Sequence, residues 1–311
     1  MDKIICIVGP TASGKTKLSV ALAQALDAEI ISFDSMQIYR GMDIGTAKPT
    51  MEERGGIVHH MFDVAEPNED FSVSRYVEMA DQCLQDILAR NKTAILVGGT
   101  GLYVDSLIAG REFAPYPSTG RREELEQRVK NEGIEPIYEE LRAIDPEAAE
   151  QIHPANHKRV IRALEVYLET GKTFSEHNRQ TQLIPPKYDP VWIGLDYKNR
   201  SALYARIDQR VEEMFEQGLV QELKDLLTKG IPSQATSLQA IGYKELFPYL
   251  DGIGTLEQAK EEIQRSSRRY AKRQRTWFRR NERVNWIELD DIPNFDEIFH
   301  QARRITANFD Q

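Results

Sequence analysis

Cysteine is nearly absent from this chain, which has only Cys6 and Cys83 among its 311 residues. Two cysteines so far apart form neither a disulfide framework nor the closely spaced thiols of a zinc site, so a reducing compartment is expected. Long hydrophobic runs are also missing. No apolar stretch approaches the roughly 18 residues that span a bilayer, and no membrane association is expected. The opening segment MDKIICIVGP leads directly into a glycine-rich turn, which leaves no room for a signal peptide. We therefore expect a cytoplasmic protein.

Positive charge is in deficit, with 40 basic against 49 acidic residues and a net charge of −9. That balance argues against a nucleic-acid partner, except in one place. Residues 265–283 (RSSRRYAKRQRTWFRRNER) carry nine Lys and Arg and one acid, which leaves −17 on the rest of the chain. A polyanion is expected to bind through this stretch alone. An amphipathic helix docked on the sheet, with a solvated basic face, is the competing interpretation.

GPTASGKT, residues 9–16, is a phosphate-binding loop, because an apolar run precedes it and helical spacing follows it. Gly9 and Gly14 allow the backbone to curl so that its N–H groups point at phosphate oxygens, and Lys15 adds a positive charge. The Thr16 hydroxyl is positioned to bind a magnesium ion or a phosphate oxygen. The residues predicted to hold the phosphates are Gly9, Pro10, Thr11, Ala12, Ser13, Gly14, Lys15 and Thr16.

Strand and helix patterns alternate along most of the chain, which predicts an α/β fold with a parallel, P-loop NTPase-like sheet flanked by helices. The predicted strands are 3–9, 29–34, 59–64, 93–103 (ending in a glycine pair), 191–196 and 286–290, and helices are predicted near 16–26, 72–90, 202–218 and 256–280. The site of such a sheet lies at the carboxyl ends of its strands. Gly9, Asp34, Gly98 and Gly99 are therefore expected at one edge.

Only helical periodicity is found between two proline-containing segments, APYPS at 114–118 and IPPKYDP at 184–190. We predict an all-helical insertion domain over residues 117–189. The α/β core then comprises residues 1–116 and 190–311.

Asp34 ends a predicted strand beside the phosphate loop and has three interpretations. Its carboxylate caps the next turn, binds magnesium, or acts as a general base, and the strand-end position favours the last two. Arg206 and Arg210 are also open to two interpretations. They lie one helical turn apart and share a face, but an ion-pair lattice with Asp208 and Glu212 fits the spacing equally well.

The strand ILVGG ends in glycine rather than in the acid that follows the metal-binding strand of ATPases, and no nucleobase-recognition motif is evident. Gly98, Gly99 and Gly101 allow the backbone to approach a ligand closely, with the Thr100 hydroxyl directed at it. A tight turn that needs glycine is the alternative.

An ordered series of motifs resembles the tRNA dimethylallyltransferase (tRNA isopentenyltransferase) family over nearly the whole chain. The motifs are GPTASGKT (9–16), DSMQIYRGMDIGTAKP (34–49), GGTGLY (98–103), HPANHKRVIRALEVY (153–167), RIDQRVEEM (206–214), QAIGYKE (239–245) and AKRQRTWFR (271–279). The bacterial type is indicated, since the zinc finger of eukaryotic members is missing. The resemblance implies magnesium-dependent transfer of a dimethylallyl group from dimethylallyl diphosphate to the exocyclic amine of an adenosine. That adenosine follows the anticodon in tRNAs that read codons beginning with U.

The resemblance also implies roles for residues. Asp34 matches the general base, while Thr16, Thr100 and Arg210 match positions around the diphosphate or the reacting centre. The resemblance, together with the basic stretch, also implies a set of residues that contact the anticodon stem-loop of tRNA. They are Asp34, Ser35, Met36, Gln37, Thr100, Arg122, Lys158, Arg159, Arg162, Gln239, Gly242, Tyr243, Lys244, Lys272, Arg273 and Arg275. Thr16 is the expected metal contact, and a monomer without protein partners is expected.

Three other functions compete with this interpretation. A P-loop kinase of a small metabolite shares the first motif but leaves the basic stretch and GGTGLY without a purpose. A prenyltransferase of free adenine nucleotides would need no helical insertion to hold tRNA. A non-catalytic RNA-binding protein would not need Lys15, Thr16 and Asp34 together.

Overall fold

The computed structural model describes residues 3–110, 119–182, 185–292 and 294–309. It divides the chain into two compact units, Met1–Gly110 with Lys187–Gln311, and Arg111–Pro186. The predicted boundary at 189 is three residues beyond the end of the second unit at Pro186, and the predicted boundary at 117 lies outside the described residues. None of the described helices combines the length and the hydropathy that crossing a membrane requires.

The first unit is built on one six-stranded sheet, and every strand pair in it is parallel. The strands are β1 (Lys3–Val8), β2 (Ala28–Ser32), β3 (His59–His60), β4 (Thr93–Val97), β5 (Asp189–Asp196) and β6 (Val284–Glu288). Their order across the sheet is β3-β2-β4-β1-β5-β6. The predicted α/β class with a P-loop-like parallel sheet is confirmed.

The helices connect these strands and also build the second unit. They are α1 (Lys15–Ala25), α2 (Val73–Ala89), α3 (Gly101–Ile108), α4 (Arg121–Glu132), α5 (Glu135–Ile144), α6 (Pro146–Gln151), α7 (His157–Thr170), α8 (Phe174–Gln182), α9 (Arg200–Glu216), α10 (Leu219–Thr228), α11 (Phe247–Leu250), α12 (Leu256–Phe278) and α13 (Phe295–Ile305).

Strand β1 lies in the middle of the sheet, and its residues from Ile4 to Val8 have no exposed surface. A strand covered by helices on both faces needs a continuous apolar run, which KIICIV supplies. Leu18 and Leu22 of α1 pack against one of these faces. Each such side chain contributes about 1.5–3 kcal/mol by leaving water, so the phosphate loop that joins β1 to α1 is held by the core.

In the second unit, α4 to α8 enclose a separate core around Ile137, Leu141 and Leu164. The buried Asp145 carboxylate caps α6 by accepting the N–H of Ala148 at 3.0 Å, and it also accepts the N–H of Ser175 at 2.8 Å. One carboxylate therefore fixes the start of α6 and ties it to α8.

Two predicted strands are shorter than the sequence indicates. The third was predicted over 59–64 but ends at His60, because Met61 and Asp63 adopt left-handed backbone with φ of 68° and 55°. Strand β4 ends at Val97, just before the predicted glycine pair, and helix α3 begins at Gly101.

Candidate active site

The carboxyl ends of β1, β2 and β4 open onto a cavity of about 870 Å³. The phosphate loop lines it from Thr11 to Thr16, and Asp34, Gly98 and Gly99 line it from the neighbouring strand ends. Gly9 begins the loop at the end of β1. Side chains from α9 and α12 complete the lining, among them Arg206, Arg210, Tyr270 and Gln274.

The phosphate loop has the conformation that its glycines were expected to allow. Gly9 has φ of 143°, and a Cβ there would lie 2.3 Å from the Leu195 carbonyl oxygen. Gly14 has φ of 85° and immediately precedes α1. The Ser13 hydroxyl is buried and has no hydrogen-bond partner within the described ranges. A buried polar group without a partner is costly, so this hydroxyl is available to an anionic ligand.

Two half-buried cations, Lys15 and Arg210, lie beside the loop. Burial, with the nearby charge of Arg210 adding to it, lowers the pKa of Lys15 to about 7, although the charge of Asp34 opposes the shift. The Lys15 ammonium donates to the Pro10 carbonyl at 2.7 Å. Burial also lowers the pKa of Arg210. Both shifts show that positive charge is destabilised here, and an added anion would relieve this.

Spacing left two interpretations open for Arg206 and Arg210, and in the structure both side chains reach the loop, whereas Asp208 pairs with Arg268 and Glu212 pairs with Lys260. Arg206 Nε donates to the Ala12 carbonyl at 3.1 Å, and Arg210 Nη1 donates to Thr11 Oγ1 at 3.1 Å. Helix α9 thus presents two guanidinium groups on one face to the phosphate loop.

The Asp34 carboxylate does cap the turn that follows it. Its Oδ1 accepts the N–H groups of Met36 at 2.8 Å and Gln37 at 3.3 Å. In the described part of the chain, no hydrogen bond to Oδ2 is found, and the half-buried residue lines the cavity. One oxygen holds the orientation of the group and the other is available to a ligand, so capping does not exclude a role as a base.

The glycines of the GGTG segment leave room for protein side chains, and Gly98 and Gly99 also line the cavity, so the close approach of a ligand to this segment stays a prediction. A Cβ on Gly99 would lie 1.9 Å from Gln274 Nε2, and one on Gly101 would lie 2.1 Å from Trp277 Nε1. The Thr100 hydroxyl between them accepts the N–H of Ser35 at 3.1 Å. The segment is therefore packed under α12 and tied to the Asp34 turn.

The basic stretch contains residues of two kinds. Arg275 was predicted to contact tRNA, but its guanidinium binds the fully buried carboxylate of Asp196, with Nε 2.9 and 3.0 Å from the two oxygens. The Arg275 guanidinium therefore stabilises the fold through this ion pair, and the prediction that it contacts tRNA is corrected. Arg268 is likewise paired, with Asp208 at 2.6 Å. Exposed cations on the same helix remain at Arg269, Lys272 and Arg273.

Four further tRNA-contact predictions fall on residues 239–244. Gln239 and Lys244 are exposed. Tyr243 is not, since its ring is fully buried and its hydroxyl donates to Glu222 at 2.6 Å, so direct contact with tRNA is ruled out for that side chain in this conformation. The Gly242 N–H donates to Glu245 at 2.9 Å.

The remaining predicted contacts are split between the units. Ser35, Met36 and Gln37 form the turn capped by Asp34. The second unit carries the other cations: Lys158 and Arg159 are exposed on α7, while Arg122 pairs with Glu126 and Arg162 pairs with Glu165.

Two residues near the cavity escaped sequence analysis. Glu222 accepts the N–H groups of Asp43, Ile44 and Gly45 at 2.8, 2.8 and 3.0 Å, and this holds a loop that lines the cavity. The other is Gln274, which bridges two loops. Neither residue belongs to a spacing pattern that would have identified it.

No cluster of three or more His, Cys, Asp or Glu able to hold a metal occurs among the described residues. Thr16 and Asp34 nevertheless both line the cavity. A cation held only by protein is therefore not supported, whereas Mg²⁺ typically takes one or two protein oxygens together with water and substrate phosphates. The residues present fit that kind of site.

Comparison with known protein families gives two matches. The IPP transferase family model matches residues 37–281, and the isopentenyl transferase model matches residues 2–63. Proteins named tRNA dimethylallyltransferase are similar along nearly their full length. That of Geobacillus thermodenitrificans is 49% identical over 317 residues, covering 99% of both chains, and that of Caldanaerobacter subterraneus is 47% identical over 298 residues, covering 95% of both.

Solved structures agree with these matches. The tRNA isopentenylpyrophosphate transferase of Bacillus halodurans superposes with a TM-score of 0.74 at 44% identity, covering 99% of this chain and 97% of that one. A eukaryotic dimethylallyltransferase, described as acting on tRNA, gives 0.87 at 32% identity, covering 99% and 79%. With the family model matching most of the sequence and relatives this similar along their whole length, the chain belongs to the IPP transferase family, that of the tRNA dimethylallyltransferases.

Proposed function

We propose that this protein transfers a dimethylallyl group from dimethylallyl diphosphate to the exocyclic amine of the adenosine immediately 3′ of the anticodon, in tRNAs that read codons beginning with U. Pyrophosphate is the second product. One observation carries the proposal. One cavity is lined by a phosphate loop, by the half-buried cations Lys15 and Arg210, and by the Asp34 carboxylate, which is held by its own turn.

The phosphate loop suits a leaving group. In the transfer the bond between the allylic carbon and the diphosphate oxygen breaks, and negative charge builds up on the departing pyrophosphate. Lys15, Arg210 and Ser13 line the cavity, and their ammonium, guanidinium and hydroxyl groups would stabilise that charge. The pKa of Lys15 is low in the free protein. Binding of the diphosphate would raise this pKa and so favour the charged form of the lysine.

Asp34 suits the acceptor. The exocyclic nitrogen of adenine is a poor nucleophile because its lone pair is delocalised into the ring, so removal of its proton as the new C–N bond forms lowers the barrier. Oδ2 takes that proton while the N–H groups of Met36 and Gln37 keep Oδ1 in place. The adenosine must leave the stack of the anticodon loop to reach the cavity.

Mg²⁺ is part of the proposal as a partner of the diphosphate. Thr16 would hold it from the protein side, with Asp34 as the nearby carboxylate, and the ion would supply charge neutralisation for the leaving group. The tRNA backbone would meet the exposed cations Arg269, Lys272 and Arg273 on α12, and the basic residues of the second unit would contact it as well. A tRNA substrate also supports the expected cytoplasmic location. The monomeric state stays a prediction.

Incubation with unmodified tRNA, Mg²⁺ and dimethylallyl diphosphate carrying a radiolabelled prenyl group tests the proposal directly. Label is expected on one adenosine of the anticodon loop, and omission of Mg²⁺ should abolish transfer. A parallel incubation contains labelled ATP, because a small-metabolite kinase is the main competing function. Phosphate lost from ATP, with no prenyl group on tRNA, would replace the proposal with the kinase.

A further inference from the structure

A single buried glutamine connects the two loops that carry the chemistry. Gln274 is 4% exposed and lies on the inner face of α12. Its Oε1 accepts the N–H of Thr11 in the phosphate loop at 2.9 Å, and its Nε2 donates to the Gly99 carbonyl at 3.1 Å. Both ends of one amide are thus used, one on each side of the cavity.

The direction of these two bonds is fixed by their partners. The Thr11 N–H can only donate and the Gly99 carbonyl can only accept, so only one orientation of the amide satisfies both. The Thr11 N–H is consequently committed to Gln274 rather than to a phosphate, although Thr11 was predicted to bind phosphate through the loop backbone. The close approach to Gly99 leaves no room for a Cβ at that position.

The hydrogen bonds of Gln274, which bridge Thr11 and Gly99, continue to the residues on either side of Asp34, the proposed base. Beyond Gly99, the N–H of Thr100 donates to the Phe33 carbonyl at 3.3 Å, and the Thr100 hydroxyl accepts the N–H of Ser35 at 3.1 Å. These two partners flank Asp34 in sequence. A continuous chain of hydrogen bonds therefore runs from the donor side of the cavity to the acceptor side, and Gln274 is its only side-chain amide.

Helix α12 holds the glutamine rigidly. The next residue, Arg275, is bound to the buried Asp196 at the end of β5, and Arg279 reaches the same carboxylate at 2.7 Å. The helix therefore cannot shift without breaking a buried ion pair, and the position of the amide is set by the sheet itself.

We propose that Gln274 is a positioning residue that fixes the distance between the diphosphate of the donor and the carboxylate that deprotonates the acceptor. This inference rests on the proposed function. It predicts that the bridge affects the rate of the transfer step more than the binding of either substrate, because a displacement of about 1 Å in a reacting pair costs on the order of 100-fold.

Gln274→Glu gives the sharpest test, since its carboxyl can accept from Thr11 in any protonation state but can donate to Gly99 only when protonated. Burial and the charge of Asp34 raise the pKa of a carboxyl at this position, whereas the charges of Lys15, Arg206 and Arg210 around the same cavity lower it. The missing bond returns as the pH falls through that pKa. We expect the single-turnover rate of this variant to be at least tenfold below wild type at pH 8. The ratio of variant to wild-type rate should rise severalfold as the pH falls towards 6.

Gln274→Met fills the same space and makes neither bond, so its rate should be low with a ratio to wild type that does not change with pH. Gln264→Met, on the same helix, removes an amide that donates to Glu212 at 3.3 Å, and it should behave as wild type. Dissociation constants for tRNA and donor should stay within about threefold in every variant. Thermal unfolding confirms that each variant is folded at the assay temperature.

A wild-type rate for Gln274→Met, or a Gln274→Glu ratio that is flat with pH, would overturn the positioning role. Loss of substrate affinity equal to the loss of rate would also overturn it, because the residue would then serve binding. Wild-type protein that transfers no prenyl group at all would instead refute the proposed function, and the two failures are thus distinguishable.

Discussion

Separate replacement of Arg275 and Arg273 should show that Arg275 stabilises the fold and that Arg273 contacts tRNA. The two side chains are two positions apart and equally charged, but their surroundings differ. Arg275 holds the Asp196 carboxylate, which has no exposed surface, whereas Arg273 is exposed and stacks over the Tyr270 ring with 5.6 Å between its guanidinium carbon and the centroid. From sequence alone the two were predicted to have the same role.

Removing one partner of a buried ion pair costs about 3–5 kcal/mol when the other charge is left uncompensated. In Arg275→Ala, Asp196 keeps Arg279 at 2.7 Å and the N–H of Tyr197 at 2.9 Å, so its charge is partly compensated. We therefore expect the free energy of unfolding to fall by about 2–3 kcal/mol, at or below the lower end of that range. At about 2–4 °C per kcal/mol for a chain of this size, the melting temperature should fall by roughly 5–10 °C. Arg273→Ala loses only an exposed cation–π contact, worth about 0.5–1 kcal/mol.

The salt dependence of tRNA binding should show the opposite pattern. Each phosphate contact adds about 0.7–0.9 to the slope of log K against log salt, so Arg273→Ala should lower the slope by about that amount. Arg275→Ala should leave the slope unchanged at a temperature where it is folded. Unfolding followed by circular dichroism and tRNA titrations from low to high salt measure both quantities. An unchanged melting temperature for Arg275→Ala, together with a reduced slope, would refute the assignment.

Three further predictions concern single groups. Asp34→Asn keeps an oxygen for the N–H groups of Met36 and Gln37, so tRNA affinity should persist while the single-turnover rate falls about 10²–10⁴-fold; normal turnover would remove Asp34 as the base. Because the pKa of Lys15 is about 7 in the free protein, kcat/KM for the donor should fall as the pH rises above 7, and Lys15→Arg, which stays charged, should flatten that profile; a wild-type profile that is already flat contradicts this. Hydrogen bonds from Arg90 hold the pKa of Glu29 at about 2 rather than 4.5, so the carboxylate stabilises the fold above pH 4.5 and this contribution is lost as the pH falls towards 2. Denaturant unfolding should therefore show a gap between wild type and Glu29→Gln that closes over that range, and a gap independent of pH would count against it.

The phosphate loop and the order of strands and helices could be predicted because their signals are local. An apolar run followed by GPTASGKT specifies a strand, a turn and a helix within a short segment. The end of the third strand was not predictable, because Met61 and Asp63 adopt left-handed backbone, which is uncommon for residues other than glycine.

The site was only partly predictable for a related reason. Asp34, Lys15 and Arg210 stand out by residue type and motif, and all of them line the cavity. Gln274 is not marked by residue type or motif, because a glutamine among basic residues is typical of a solvated helix face. Only its contacts with distant loops reveal it, and the same holds for the ion pair that commits Arg275.

The hydrogen bond between Thr11 and Gln274 joins positions 263 residues apart. Translation therefore produces the phosphate loop long before it produces the amide that bridges this loop to Gly99. The central strand β1 likewise waits for β5, which begins at Asp189, before its second edge is paired. Pairings this distant in sequence are slow to form because the intervening chain must be closed. A nascent chain stalled before α12 would thus carry the phosphate loop without a finished active site, and we expect catalytic competence only after α12 has been synthesised and docked.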